Sequence, residues 1–117
     1  MNDVIIQFQG FHPSELFRSY LESRLSELHD QSPYGSTLRV HFTRHKTRWK
    51  ATLRIMSPVR EFFAVAEGRG LHEVSKRLFS RIHRQLERWK SRRFEHRSLL
   101  DLEVRNGDGV THGSGVA

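Results

Sequence analysis

Four short segments of the chain alternate apolar and polar residues at every second position, as expected for strands with one buried face. In the first of them, Val4–Gln9, the side chains of Val4, Ile6 and Phe8 would share one face. The other three follow each other closely, at Thr37–His45, Arg48–Met56 and Glu61–Glu67. Because only short connections separate these three, we expect them to form an antiparallel meander.

Two other segments repeat their apolar residues at steps of three and four, which predicts amphipathic helices. The first helix should begin at His12-Pro13-Ser14-Glu15, with Pro13 in its first turn, and end near His29. The second should cover Arg69–Arg97, with an apolar stripe formed by Leu71, Val74, Leu78, Ile82, Leu86 and Trp89. The predicted order of elements is therefore β-α-β-β-β-α.

This order predicts an α/β (α+β) fold, in which two helices pack on one face of a four-stranded mixed sheet. A helix joins the first two strands, so these strands should be parallel with a right-handed crossover. The covered face should carry Val40, Leu53 and Ala64. We assign residues 1–97 to one ribosome-binding domain on the resemblance described below. Residues 98–117, with four glycines and little periodicity, should form a flexible tail.

The second helix also carries a stripe of arginines, whose centre lies about 110° from that of the apolar stripe. Its members are Arg77, Arg81, Arg84, Arg88 and Arg92. A merely solvated helix face normally intersperses acids for i,i+4 pairs, but between Lys76 and Arg97 only Glu87 and Glu95 do so. Neighbouring arginines repel each other unless a polyanion neutralises them. The pattern therefore favours binding to RNA phosphates, which guanidinium groups contact bidentately.

Positive charge is concentrated in two blocks of the chain. The net charge of the 117 residues is +7, yet residues 1–30 carry −3 while residues 31–60 and 69–97 carry +7 each. In the first basic block, Arg39, Lys50 and Arg54 should lie on the open sheet face, and Arg44, Lys46 and Arg48 at a hairpin tip. Edge protection and solubility are the alternative explanation for these residues. The absence of any acid from residues 31–60 favours an electrostatic footprint for a polyanion.

Phe63 is an aromatic residue that should fall on the open sheet face rather than in the core. It would serve either as a stacking platform for a nucleobase or as a packing residue beneath a loop. The sequence leaves both explanations open.

No pattern typical of catalysis or of metal binding emerges from the sequence. There is no cysteine, no histidine pair stands at ligand spacing within one element, and no nucleophile elbow or phosphate loop is present. We therefore predict no enzymatic activity, no cofactor, no metal and no small-molecule substrate. No apolar run approaches the roughly 20 residues of a membrane span, and the N-terminus lacks a signal peptide. We expect a cytoplasmic protein without a membrane partner, monomeric in solution.

Several segments together resemble the family of the ribosome hibernation-promoting factor and ribosome-associated inhibitor A, also known as sigma-54 modulation proteins. They are Ala51-Thr52-Leu53, Ala64-Val65-Ala66-Glu67-Gly68, and Arg84-Gln85-Leu86 followed by Lys90, in the order of elements given above. The resemblance covers about residues 4–95. It is to the short form, because the residues from Ser98 onward are too few for the dimerisation domain of long members. Where members often carry an acid, an aromatic residue and another acid, this chain has Gly70, His72 and Lys76.

The resemblance implies a function in bacterial translation. Members bind the small ribosomal subunit between head and body, occupy the space of messenger RNA and transfer RNA, and silence translation in starved cells. Basic residues of their second helix contact ribosomal RNA, a role that carries over by position to Arg77, Arg81, Arg84, Arg88, Lys90 and Arg92. We therefore expect a hibernation factor whose partner is the small subunit and its ribosomal RNA. The alternatives are a general double-stranded RNA-binding protein and a regulatory protein-interaction module.

Overall fold

The computed structural model describes residues 3–104, with side chains as far as Arg92. Its elements are β1 (Val4–Gln9), α1 (Glu15–Gln31), β2 (Thr37–His45), β3 (Arg48–Met56), β4 (Glu61–Gly68) and α2 (Leu71–Val104). The predicted order β-α-β-β-β-α and the α+β class are confirmed, and all four strands lie where the alternation of residues predicts them.

The sheet has the strand order β1-β2-β3-β4, with β1 parallel to β2 and the other neighbours antiparallel. Its register aligns the apolar positions into rows across the sheet. Ile6 pairs with Val40, Val40 with Leu53, and Leu53 with Ala64. The last three of these residues are buried, and they lie on the face that the two helices cover. The opposite face of the sheet remains open.

Helix α1 begins at Glu15, at least two positions later than the predicted start with Pro13 in the first turn. Ser14 is its N-cap, since the Ser14 hydroxyl accepts a hydrogen bond of 3.1 Å from the Phe17 N–H. Pro13 therefore precedes the helix instead of lying in its first turn. At the other end, Ser32 donates from its N–H to the His29 carbonyl and from its hydroxyl to the Leu28 carbonyl. These bonds satisfy carbonyls of the last turn and end the helix at Gln31.

Helix α2 begins at Leu71, two residues after the predicted start, and extends beyond Arg97 to Val104. Gly70 precedes its first turn, where the Glu73 carboxylate accepts a hydrogen bond from the Arg69 N–H. The helix continues past the predicted end because neither glycine nor proline occurs between Gly70 and Gly107. Residues 98–104 are thus helical where a tail was expected, and residues 105–117 lie outside the described part of the chain.

The chain divides into two compact units, and the boundary lies inside α2. The first unit ends at Leu86 and contains the sheet, α1 and the first turns of α2; the second begins at Glu87. The core of the first unit includes the predicted stripe residues Val74, Leu78, Ile82 and Leu86. It also includes Phe79, which the sequence analysis did not place in the core.

Candidate nucleic-acid interface

Strand β4 forms one edge of the sheet, and side chains of α2 close that edge. The backbone groups of Phe63, Val65 and Glu67 turn away from β3. Gln85 bonds both groups of Phe63: its amide donates to the Phe63 carbonyl at 2.7 Å and accepts from the Phe63 N–H at 3.3 Å. Arg81 donates to the Val65 carbonyl at 2.5 Å, and Arg77 donates to the Glu67 carbonyl at 2.8 Å.

The spacing of these three contacts follows from the geometry of the two elements. Four residues of an α-helix rise about 6.0 Å, and two residues of a strand rise about 6.8 Å. Side chains at every fourth position of α2 can therefore meet every second residue of β4 when the two run in opposite directions. Arg77 and Arg81 thus have a structural role, because they satisfy carbonyls that would otherwise form an open edge. Arg77 also forms an ion pair of 2.7 Å with Glu73.

The next arginine of the stripe, Arg84, is not held in this way. Arg84 is exposed and forms no hydrogen bond or ion pair with the residues whose side chains are described. In the second unit, the side chains of Arg88 and Arg92 are exposed and that of Lys90 is half-buried. The arginine stripe predicted from the sequence therefore combines two kinds of residue, those bound to the sheet edge and those available to a ligand.

On the open sheet face, Arg39 and Arg54 lie directly opposite each other on β2 and β3. Like charges in this position destabilise a sheet by mutual repulsion. Glu61 offsets the charge of Arg54 through an ion pair of 3.1 Å, but Arg39 has no such partner within the described residues. An anion bound between the two guanidinium groups would remove the repulsion.

Phe63 is 43% exposed on the same face, next to Arg54. The guanidinium carbon of Arg54 lies 5.0 Å from the centre of the Phe63 ring, which is a cation–π contact. The ring thus packs against the Arg54 side chain of the neighbouring strand, a contact that neither of the two sequence-based explanations named. The pair nevertheless forms a flat aromatic and cationic surface, of the kind on which unpaired nucleobases stack.

The hairpin between β2 and β3 turns through Lys46 and Thr47, and Lys46 has a φ of 59°. Arg44 lies on the helix side of the sheet, where its guanidinium donates to the Lys46 carbonyl and covers the Trp49 ring. Arg48 forms an ion pair of 3.1 Å with Glu67. Of the three cations predicted at this tip, only Lys46 has a side chain without a partner among the described residues.

The acids that pair with the basic block come from β4, outside that block. Residues 31–60 contain no acid, but the register places Lys50 opposite Glu67 and brings Arg48 and Arg54 to Glu67 and Glu61. The open face therefore carries less net positive charge than the residues of β2 and β3 alone would give it. Arg39 and Lys50 are the exposed cations of this face that form no ion pair with the described residues, and together with Arg84 on α2 they define the candidate interface.

The described residues contain neither a candidate metal site nor a helix that could span a membrane. No group of three or more histidine, aspartate or glutamate residues there is arranged to hold a metal ion. None of the described helices is both long enough and apolar enough to cross a membrane.

Comparison with known proteins adds the following. Two solved structures share the fold: a ribosomal subunit interface protein from Coxiella burnetii and the N-terminal domain of Thermus thermophilus Protein Y. The first is 20% identical with a TM-score of 0.62, covering 75% of this chain and 97% of that one. The second is 16% identical with a TM-score of 0.64, covering 74% of this chain and 98% of that one. At these identities the likeness shows the fold alone.

The sequence comparisons give one further match. No curated protein sequence matches the chain. The family model for the sigma 54 modulation protein / S30EA ribosomal protein matches residues 4–93, which is most of the chain and nearly the range of the predicted resemblance. All four strands, helix α1 and helix α2 as far as residue 93 lie within that range. The chain therefore belongs to the sigma 54 modulation protein / S30EA ribosomal protein family.

Proposed function

We propose that this protein binds ribosomal RNA of the small subunit, in the channel used by messenger RNA and transfer RNA, and blocks translation by occupying it. Membership of the family makes the chain a ribosome-associated protein of translation regulation. The observation that carries the finer proposal is the opposed pair Arg39 and Arg54, with Arg39 lacking an acidic partner in the described residues. Phosphate oxygens would neutralise this pair, Lys50 adds a cation on the same sheet face, and Arg84 adds one on α2.

The proposed mechanism involves binding alone. Phosphate neutralisation provides affinity, and the fit of the folded domain to a preformed RNA channel provides selectivity. The protein would catalyse no reaction and require no cofactor or small-molecule substrate. It would act in the cytoplasm as a monomer. The basic residues in the second unit, Arg88, Lys90 and Arg92, would add phosphate contacts.

The test is cosedimentation with purified small subunits over a series of salt concentrations. We expect binding at low salt that weakens steeply as salt rises. The double variant Arg39→Glu/Arg84→Glu should lose binding and keep its thermal unfolding temperature, because neither side chain has a structural partner among the described residues. Arg18→Glu/Arg24→Glu on α1 is the matched control, since it also reverses two charges and both residues lie outside the two basic blocks. Absence of binding at low salt, or equal loss in the control, would contradict the proposal.

A competition experiment separates this function from general binding of double-stranded RNA. The open sheet face and basic helix would also suit the grooves of an A-form duplex. A naked RNA duplex added in excess should leave most of the protein on the subunit if the ribosomal channel is the site. Complete displacement by the duplex would favour the general RNA-binding protein, and complexes that survive ribonuclease would favour a protein partner.

A further inference from the structure

Strand β1 forms the other edge of the sheet, and its edge is open. The Leu38 N–H donates to the Asp3 carbonyl at 2.8 Å, so the odd-numbered residues of β1 bond to β2. In a parallel pair, the residues between them turn both backbone groups away. Val4, Ile6 and Phe8 therefore present their N–H and C=O groups outward, and these groups have no hydrogen-bond partner within the described residues. In the described part of the chain, no side chain closes this edge in the way that Gln85, Arg81 and Arg77 close β4.

A groove runs beside this open edge, between β1 and α1. Its floor includes the side chains of Val4 and Ile6, which are only half-buried. Its wall on α1 carries Glu22 and Asp30, two exposed carboxylates that form no ion pair with the described residues. Asp3 lines the same groove, 3.8 Å from the His29 ring. The groove thus places apolar side chains, carboxylates and free backbone groups next to one another.

The charge of this region identifies its occupant. Residues 1–30 carry a net charge of −3 in a chain whose total is +7. A nucleic acid would be repelled here, whereas a cationic polypeptide would be attracted. Lysine and arginine also have aliphatic stems that can cover Val4 and Ile6 while their charged ends reach Glu22 and Asp30.

We propose that an extended segment rich in lysine or arginine, from a partner protein, adds to the open edge of β1 as a fifth strand. Its backbone would bond to Val4, Ile6 and Phe8, as in other cases of strand addition. The groove lies between β1 and α1, whereas Arg39, Arg54 and Lys50 lie on the open sheet face, so this segment and an RNA bound at that face can occupy the protein together. The inference does not depend on the proposed function, since it uses neither Arg39 nor Arg84.

The probe is a fluorescent peptide of five Lys-Thr repeats, titrated against the full chain by fluorescence anisotropy. Two peptides of equal length serve as controls. Five Lys-Gly repeats keep the charge but have low strand propensity, and five Glu-Thr repeats keep the strand propensity but reverse the charge. We expect the Lys-Thr peptide to bind at least tenfold more tightly than either control. Equal binding of the Lys-Thr and Lys-Gly peptides would overturn the proposal, because charge alone would then account for it.

Amide hydrogen exchange locates the bound peptide. The amides of Val4, Ile6 and Phe8 face outward, so they should exchange rapidly in the free protein and at least tenfold more slowly with the Lys-Thr peptide bound. The amides of β4 should not change. Protection confined to β4 or to α2, or displacement of the peptide by a short single-stranded RNA, would place it on the RNA-binding surface and overturn the proposal.

Two variants test the contacts separately. Ile6→Pro removes an outward N–H that contributes no bond to β2, which an edge strand can tolerate. It should weaken peptide binding about tenfold. Glu22→Lys/Asp30→Lys leaves the backbone intact and should also weaken it about tenfold, whereas Glu27→Lys, an exposed residue outside the groove, should change it less than twofold. Thermal unfolding checks that each variant is folded, and unchanged affinity in the double lysine variant would overturn the proposal even if Ile6→Pro fails to fold.

Discussion

At Gly10, which follows β1, the backbone has a φ of 88° and passes close to the carbonyl of Arg44. A Cβ atom at this position would lie 2.2 Å from that carbonyl oxygen, far inside any contact distance. We expect Gly10→Ala to lower the free energy of unfolding by about 2–4 kcal/mol, since the strained φ and the clash act together. Urea denaturation followed by circular dichroism measures the difference.

Gly35 provides the control for this substitution. Its φ of 80° is equally unfavourable for alanine, but an added Cβ would meet only the Pro58 ring at 3.5 Å, an ordinary contact. Gly35→Ala should therefore cost only about 1 kcal/mol, the cost of the backbone conformation alone. If the two variants lose similar amounts of unfolding free energy, the close approach to the Arg44 carbonyl is not the reason that glycine is required at position 10.

Individual residues differ in how far the sequence predicts their environment. Alternation along a strand is a local property, so it correctly placed Val40, Leu53 and Ala64 in the core. Phe79 is also buried, although it lies beside the predicted stripe, because α1 brings the Tyr20 ring within 6.5 Å of it. The hydrogen bond between Arg81 and β4 could not be predicted from the sequence either, since it depends on how α2 is aligned with β4. Such contacts are set by tertiary packing and leave no local pattern.

Where α2 packs along the β4 edge, the contact requires one side chain that can both donate and accept a hydrogen bond. Gln85 both donates to and accepts from the backbone of Phe63. Glutamate at this position can accept but not donate when ionised, and it would face the Phe63 carbonyl. We expect Gln85→Glu to lower the free energy of unfolding by about 1–2 kcal/mol, as for the loss of a partly shielded hydrogen bond.

Arg84→Ala is the matched control for Gln85→Glu, because it changes the neighbouring residue of the same helix. Arg84 is exposed and has no partner among the described side chains, so its loss should change the free energy of unfolding by less than about 0.5 kcal/mol. Chemical denaturation of both variants gives the comparison. Equal effects would mean that the edge contacts of α2 contribute little to stability.

The elements themselves were largely predictable, and their ends were less so. Strand and helix periodicity located all six elements, because each buries one face. The start of α1 depends on the hydroxyl of Ser14 and the end of α2 on where a helix breaker first occurs, which periodicity does not report. The prediction placed Pro13 in the first turn of α1, which put the start of the helix too early.

For the whole molecule, the order of the elements constrains the topology more than any motif does. A helix between β1 and β2 makes them parallel, and the following hairpins place β4 at the far edge. The sequence thus predicts one covered and one open sheet face, together with the basic character of the latter. It does not predict that Glu61 and Glu67 neutralise Arg54 and Arg48, because those pairs arise across strands. The candidate interface consequently contains fewer available cations than the basic block of the sequence.

The salt dependence of binding distinguishes the available cations from the paired ones. Each phosphate that the protein neutralises releases counterions, so removing one contact should reduce the slope of log affinity against log salt by about one. We expect this reduction for Arg39→Gln and for Lys50→Gln, measured by titration of small subunits at several salt concentrations. Arg48→Gln should change the slope by much less, since Glu67 already holds that guanidinium at 3.1 Å. A reduction in Arg48→Gln as large as in Arg39→Gln would mean that RNA displaces the acids of β4, and that the whole basic block contacts phosphate.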